Sequence, residues 1–313
     1  MAWRLADIPD LSGRVAVVTG ANGGLGLETA RVLARRRAHV VMAVRDPARG
    51  EAARDTVLRS VPAASLEIVE LDLASLESVR AAAGRVAAAH PTIDILVNNA
   101  GIMATPRRMS PDGHELQLAV NHLGHFALTA ALLPALARSA AGRIVSLTST
   151  GRFRARPLDL DDPRMERGYD AWLAYGRSKL AALQFAVELH ARLSAAGLPV
   201  RSVAADPGFA RTDLQARSVR EAPALGQRFF AVFVDRFGST PLRGAMPQLR
   251  AATDPTAPGG ALYALRFLLR GDPVRVPVIA RHLGPGGRAR MWHASESLTG
   301  MRFELPAERP TER

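Results

Sequence analysis

The chain has 313 residues, 48% of them apolar, enough for one large α/β domain or two small ones with a real core. It has no cysteine, which excludes a disulfide frame, thiolate chemistry and cysteine metal sites and suits a reducing cytoplasm. The formal net charge of +12 raises nucleic acid as a partner, but the arginines are scattered over predicted helices with few aromatics beside them, so no nucleic-acid binding is expected.

In chain order, the N-terminus MAWRLADIPDLSGR has no apolar run after its basic residue and reads as no signal peptide. RVAVVT (14–19) and HVVMAV (39–44) read as strands around a stretch in which Leu25, Ala30, Val32 and Leu33 recur at helical spacing. The alternation continues with a helix near 47–60, LEIVEL (66–71), a helix near 75–89 and IDILVN (93–98). A long helix near 114–138 follows, then RIVSLT (143–148), a helix near 170–196 and VRSVAA (200–205). The longest apolar stretch, Phe126 to Ala137, is interrupted by Thr129 and Pro134 and is too short to span a bilayer, so no membrane insertion is expected.

Strands that are apolar throughout, joined by crossover helices, predict a parallel sheet covered on both faces. The fold class is therefore α/β: one doubly wound domain over 1–313, with a cofactor-binding half at about 12–150 and a catalytic, substrate-capping half at about 151–305. After about residue 210 prolines and glycines crowd the chain, and only one helix, near 259–270, is expected in an irregular C-terminal cap. Residues 306–313 read as a frayed tail.

Directly after the first strand comes TGANGGLG (19–26). A glycine-rich turn between strand and helix lets a pyrophosphate approach the backbone and meet the N–H groups and positive dipole of the helix N-terminus. Gly20, Asn22, Gly23, Gly24, Leu25 and Gly26 are the candidates to hold it. Further on, AYGRSK (174–179) contains the one lysine among 41 lysines and arginines. Arginine is broad and planar, whereas lysine is a compact point charge on a flexible stem. Lys179 lies four residues after Tyr175, which on a helix puts phenol and ammonium on one face.

These motifs resemble the short-chain dehydrogenase/reductase family. Gly20, Gly24 and Gly26 match its T-G-x-x-x-G-x-G pattern, while Gly20, Gly23 and Gly26 equally match the extended branch of sugar-nucleotide epimerases and dehydratases. NNAG (98–101), the Pro207–Gly208 pair followed by Thr212, and Y-x-x-x-K at Tyr175 and Lys179 are similar to the classical branch. VNHLGHF (120–126), PDGHELQ (111–117), SKLAALQF (178–185) and MWHASESLTG (291–300) resemble the retinol-dehydrogenase-like and protochlorophyllide-reductase-like subgroup. Asp206 departs from that subgroup, which often has histidine before Pro-Gly.

The resemblance implies a Rossmann-type oxidoreductase that moves a hydride between a nicotinamide and a carbonyl/alcohol pair. Such a reaction needs a general acid/base. Tyr175 fits that role, its phenolate favoured by Lys179 and by a positive nicotinamide ring. Alignment selects Ser149 to hold the substrate oxygen and Asn121 to fix a helix kink and a water in a proton relay. Asp72 and Leu73 match the adenine side; Asn98, Ala100 and Gly101, with Tyr175, Lys179, Pro207, Gly208 and Thr212, match the nicotinamide side. Arg45, at the end of the second strand, favours NADP(H) over NAD(H), because an arginine there accommodates the 2′-phosphate. Asp46 is a second group able to contact the ribose. An apolar carbonyl/alcohol substrate is expected, with the insertion between Ser149 and Tyr175 suited to a loop over it. His122 and His125 are read as structural. Tyr169 and Tyr263 are read likewise. The long helices at 114–138 and 170–196 resemble those with which the family pairs subunits, which implies a homodimer or homotetramer. A non-catalytic NADP(H)-sensing protein is the other alternative to the oxidoreductase.

Overall fold

The structure, a computed structural model, describes residues 3–155, 159, 161–211, 232, 234–279 and 286–305. Its centre is one eight-stranded sheet in the order β3-β2-β1-β4-β5-β6-β7-β8. The strands are β1 (Val15–Thr19), β2 (His39–Val44), β3 (Ser65–Glu70), β4 (Ile95–Asn98), β5 (Gly142–Leu147), β6 (Val200–Asp206), β7 (Leu262–Leu265) and β8 (Pro273–Val276). Pairing is parallel from β3 through β7, with β8 added antiparallel at the far edge. The order reverses between β1 and β4, and a crevice at the carboxyl ends of the strands is where a doubly wound sheet binds its ligand.

Helices α1 (Gly24–Arg35), α2 (Pro47–Ser60), α3 (Leu76–Ala89), α4 (Leu116–Leu136), α5 (Ala171–Ala195), α6 (Pro241–Thr253) and α7 (Gly287–Thr299) flank the sheet. On one face Leu33, Val40, Met42, Val203 and Leu249 belong to a single core, with α1 and α6 packed over the strands. On the other, Val79, Phe126, Leu132, Ile144, Leu189 and Trp292 belong to a core that packs α3, α4, α5 and α7 on the sheet. By length and composition α4 could cross a membrane, and most of it is buried inside the protein.

The C-terminal part corrects the sequence reading. Where a helix is expected near 259–270 the chain forms β7 and the turn that leads into β8, with Leu262 opposite Ala204 of β6 and Val276 of β8. An unbroken apolar run such as ALYAL carries no periodicity that separates a buried strand from a buried helix. The supposedly irregular cap contains α6 and α7. Pro241 sits in the first turn of α6, where no N–H partner is required, and Thr240 caps the helix by accepting from the Arg243 N–H at 3.3 Å. Gly244 is there for closeness: a Cβ would lie 2.5 Å from that of Ala210. The expected tail 306–313 lies outside the described residues.

Candidate active site

A cavity of about 470 Å³ opens along the carboxyl ends of the strands. Gly20, Asn22, Gly23, Gly24 and Leu25 form one wall, and Arg45, Asp46, Arg49, Asp72, Leu73, Ala100, Gly101, Tyr175, Lys179 and Pro207 continue it. Gly20 (φ +67°) and Gly24 (φ +51°) adopt left-handed conformations that side chains resist. Gly26 lies beneath the turn, where a Cβ would stand 2.3 Å from the Gly20 carbonyl oxygen. Three glycines thus let strand, turn and helix close on one another and leave the N-terminus of α1 facing the cavity. That is a cradle for a diphosphate, so the residues present fit a dinucleotide.

A polar bracket fixes the opposite side of this cradle. The Thr19 hydroxyl accepts the N–H groups of Asn99 and Ala100, each at 2.9 Å, and sits 2.9 Å from His125 Nε2. His125 Nδ1 faces the Asn121 carbonyl at 3.4 Å, an acceptor only, so Nδ1 carries the ring proton and Thr19 donates to Nε2. One hydroxyl therefore ties β1, the turn after β4 and α4 together. Burial drops the pKa of both His122 and His125 to about 3, with Lys179 adding to the effect at His125. Unfolded histidine titrates near 6.5, so the unfolded chain binds more protons below that value and stability is lost as pH falls through it. We expect a lower urea midpoint at pH 5 than at pH 7, about 2 kcal/mol for each buried histidine. His125→Gln and His122→Gln should each flatten that pH dependence; an unchanged slope would contradict the burial.

Tyr175 and Lys179 line the cavity, and Ser149 stands behind them with its hydroxyl in hydrogen-bond reach of the Tyr175 phenol. Asp170 caps α5 by accepting from the Leu173 N–H at 2.6 Å, and one turn later Tyr175 and Lys179 emerge on the buried face, 6% and 5% exposed. Burial pushes the Tyr175 phenol up to about 12, countered by the neighbouring Ser149 hydroxyl and reinforced by the negative charge of Asp206. Burial also lowers the Lys179 ammonium to about 8, and Asp206 acts the other way. Lys179 Nζ donates to the Leu147 carbonyl at 3.2 Å, and its own carbonyl accepts from the Thr148 hydroxyl at 2.7 Å. Ser149 caps the short 3-10 turn Thr150–Arg154, accepting from the Gly151 N–H at 3.2 Å. Gly151 is pinned between: a Cβ would lie 2.9 Å from Tyr175 Cε1.

Asn121 lies in a five-residue π segment, Ala119–Leu123, that interrupts α4. Its amide donates to the Ile102 carbonyl at 2.9 Å and the Ser178 hydroxyl at 2.8 Å, and its oxygen accepts from the Ile102 N–H at 2.8 Å. Ser178 in turn donates to the Tyr175 carbonyl at 2.7 Å. Asn121 therefore braces the cavity wall from behind.

Other expected residues fall differently. Asn98 points away from the cavity, donating to Thr129 at 3.0 Å, while the next residue, Asn99, joins the cavity wall and donates to the Thr19 carbonyl at 2.8 Å. Gly208 (φ +65°) closes against the Leu268 carbonyl, where a Cβ would stand 1.8 Å away. Asp46 turns its carboxylate onto its own helix, accepting from the Arg49 N–H at 3.1 Å. Tyr169 donates to the Thr105 carbonyl at 2.9 Å, and Arg250 lies over the Tyr263 ring. Thr212 and part of the insertion after Ser149 lie outside the described residues. The unusual Asp206 has a partner that sequence order hides: Arg152, one turn after Ser149, donates to it in a buried ion pair.

Residues 14–223 match the short chain dehydrogenase family. Retinol dehydrogenase 14 of Homo sapiens is 35% identical over 304 residues, spanning 93% of this chain and 88% of that one. An uncharacterized protein of Mycobacterium Paratuberculosis has a solved structure that is 41% identical with a TM-score of 0.80, covering 97% of this chain and 100% of its own. A second solved structure, from Beutenbergia cavernae, is described as an NAD(P)-dependent gluconate 5-dehydrogenase with bound NADP. It is 28% identical with a TM-score of 0.63 and covers 81% of this chain and 95% of its own.

Proposed function

Because this chain belongs to the short-chain dehydrogenase family, on its retinol-dehydrogenase-like branch, we propose that it is an NADP(H)-dependent oxidoreductase of an apolar alcohol/carbonyl pair. The observation that carries this reading is that Tyr175 and Lys179 line the same cavity as the glycine cradle, with Ser149 hydrogen-bonded to the Tyr175 phenol. When bound, the nicotinamide supplies or accepts the hydride. The rest belongs to the chain. Ser149 holds the substrate oxygen, and Tyr175 gives it a proton during reduction or takes one during oxidation. A phenol raised to about 12 is protonated at neutral pH and stands ready as an acid. The Lys179 ammonium, beside it, stabilises the phenolate that remains after the proton has left. Asn121 keeps the kink of α4 and the backbone at Ile102 in place for the relay.

The apolar substrate is supported by Ile102, Leu116 and Val120 in the cavity wall and by Met103 and Trp172 packed beside Tyr175. A retinol dehydrogenase among the relatives supports the same class. The test is NADPH oxidation against aliphatic, aromatic and isoprenoid aldehydes, with hydrophilic sugars of similar size as controls. Activity confined to the sugars would refute the apolar assignment.

NADP(H) rather than NAD(H) is supported by Arg45 and Arg49, which line the cavity at the N-terminus of α2 while Asp46 is occupied with capping that helix. A charge-assisted contact to the 2′-phosphate is worth about 1.5–3 kcal/mol. Arg45→Ala should therefore weaken NADPH binding by roughly 10- to 100-fold and leave NADH binding within about twofold. Equal loss for both cofactors would count against the phosphate assignment. A homodimer or homotetramer through α4 and α5 has weaker support, because α7 lies on both: Trp292 stacks with Phe185 at 6.1 Å and meets Phe126 edge-on at 5.2 Å. Light scattering of the purified protein decides between monomer and oligomer.

A further inference from the structure

A second group of ligating side chains lies at the other end of the strands from the cavity. His39 opens β2, Glu67 sits in the edge strand β3, and His90 is the C-cap residue of α3. In the parallel register His39 is opposite Ser65 and Val41 opposite Glu67, so Ser65 and Glu67 share the face that His39 presents. The C-terminal end of α3 brings His90 onto that face. Both imidazole Nε2 atoms converge on one carboxylate oxygen, Glu67 Oε2, at 3.3 Å from His39 and 2.7 Å from His90. The three ligand atoms all lie within 4.8 Å of one another.

We infer that His39, Glu67 and His90 form a site for a divalent transition ion of the zinc type, clasping β2 and β3 to the end of α3. Two imidazoles and one carboxylate are a borderline donor set that suits zinc and disfavours magnesium or calcium, which take oxygen ligands. Zinc with nitrogen and oxygen ligands at about 2.1 Å in a tetrahedron needs them about 3.4 Å apart. Half-buried side chains reach this spacing by rotation about their χ angles. The outer shell is also present: Ser65 Oγ is 2.7 Å from His39 Nδ1, where it can take that ring proton and leave the Nε2 lone pair for the metal. Three protein ligands leave one tetrahedral position for water.

The test is calorimetric titration of the chelator-stripped full chain with zinc chloride, with thermal melting in parallel. One zinc per chain and a higher melting temperature are expected. The triple variant His39→Ala, Glu67→Ala, His90→Ala should lose that stoichiometric uptake, and Ser65→Ala, which removes only the outer-shell partner, should weaken affinity by about 10- to 100-fold. NADPH affinity, unaffected because the cavity lies at the opposite strand ends, verifies that each variant folds. No uptake by the wild type, or equal uptake by the triple variant, would overturn the site and leave Glu67 as a hydrogen-bonded partner of two histidines.

Discussion

Replacing Tyr175 with phenylalanine is expected to lower kcat by about 10²- to 10⁴-fold, the usual contribution of a placed general acid/base, with the NADPH dissociation constant unchanged within about twofold. The substitution removes one oxygen and little else. The ring keeps its packing among Met103, Ala104 and Trp172, and the helix backbone keeps its bonds. A packing role alone would therefore leave turnover nearly intact, whereas a proton-transfer role would abolish most of it. Lys179→Met should lose activity as well, but through a different signature. Removing the ammonium withdraws its favourable action on the phenolate and opens space against Gly101, from whose would-be Cβ Lys179 Nζ is 3.3 Å. It should thus weaken cofactor binding and turnover together, whereas Tyr175→Phe touches turnover alone.

Asp206→Asn is expected to destabilise the protein by about 3–5 kcal/mol, the cost of stranding one member of a buried ion pair. Asp206 is 0% and Arg152 5% exposed, and the carboxylate serves two masters: Oδ2 accepts from the Arg152 guanidinium and Oδ1 from the Gly208 N–H at 2.9 Å. Asparagine preserves volume and an acceptor but not the charge, so the guanidinium is left without its counterion. Arg152→Met combined with Asp206→Asn should recover much of the loss, because the pair is then replaced as a unit. The substitution has a second readout. Asp206 raises the pKa of both Tyr175 and Lys179, so removing its charge lowers both and should move the alkaline limb of the activity profile to lower pH. Urea denaturation and a pH profile of kcat/KM measure the two effects separately. Unchanged stability would show that the pair is not formed as described.

What could be read in the sequence was local or periodic. The alternation of apolar runs and amphipathic stretches is a short-range signal, and so are the glycine turn and the four-residue step from Tyr175 to Lys179. Each survives because neighbours along the chain remain neighbours in space. Long-range partners were hidden. Arg152 and Asp206 are 54 positions apart, Thr19 and His125 are 106 apart, and no spacing rule connects them. Asp206 looked anomalous alone and is explained once Arg152 stands beside it. Asn98 and Asn99 show the limit of motif alignment: adjacent residues at a strand end point to opposite sides, so a motif position does not say which side chain faces the ligand. In the C-terminal part, the turn signals of Pro241, Gly244 and Pro247 concealed a helix, since proline in a first turn and glycine at a close contact are compatible with one.

The most direct test of the proposed chemistry follows NADPH and product together, using purified wild-type protein and a long isoprenoid aldehyde such as retinal. One alcohol formed for each NADPH consumed, with both signals lost in Tyr175→Phe, is the predicted result. Tight NADPH binding with no alcohol from any apolar carbonyl would contradict it and favour a cofactor-sensing protein. Turnover of a sugar nucleotide with no net change in cofactor would contradict it in favour of an epimerase.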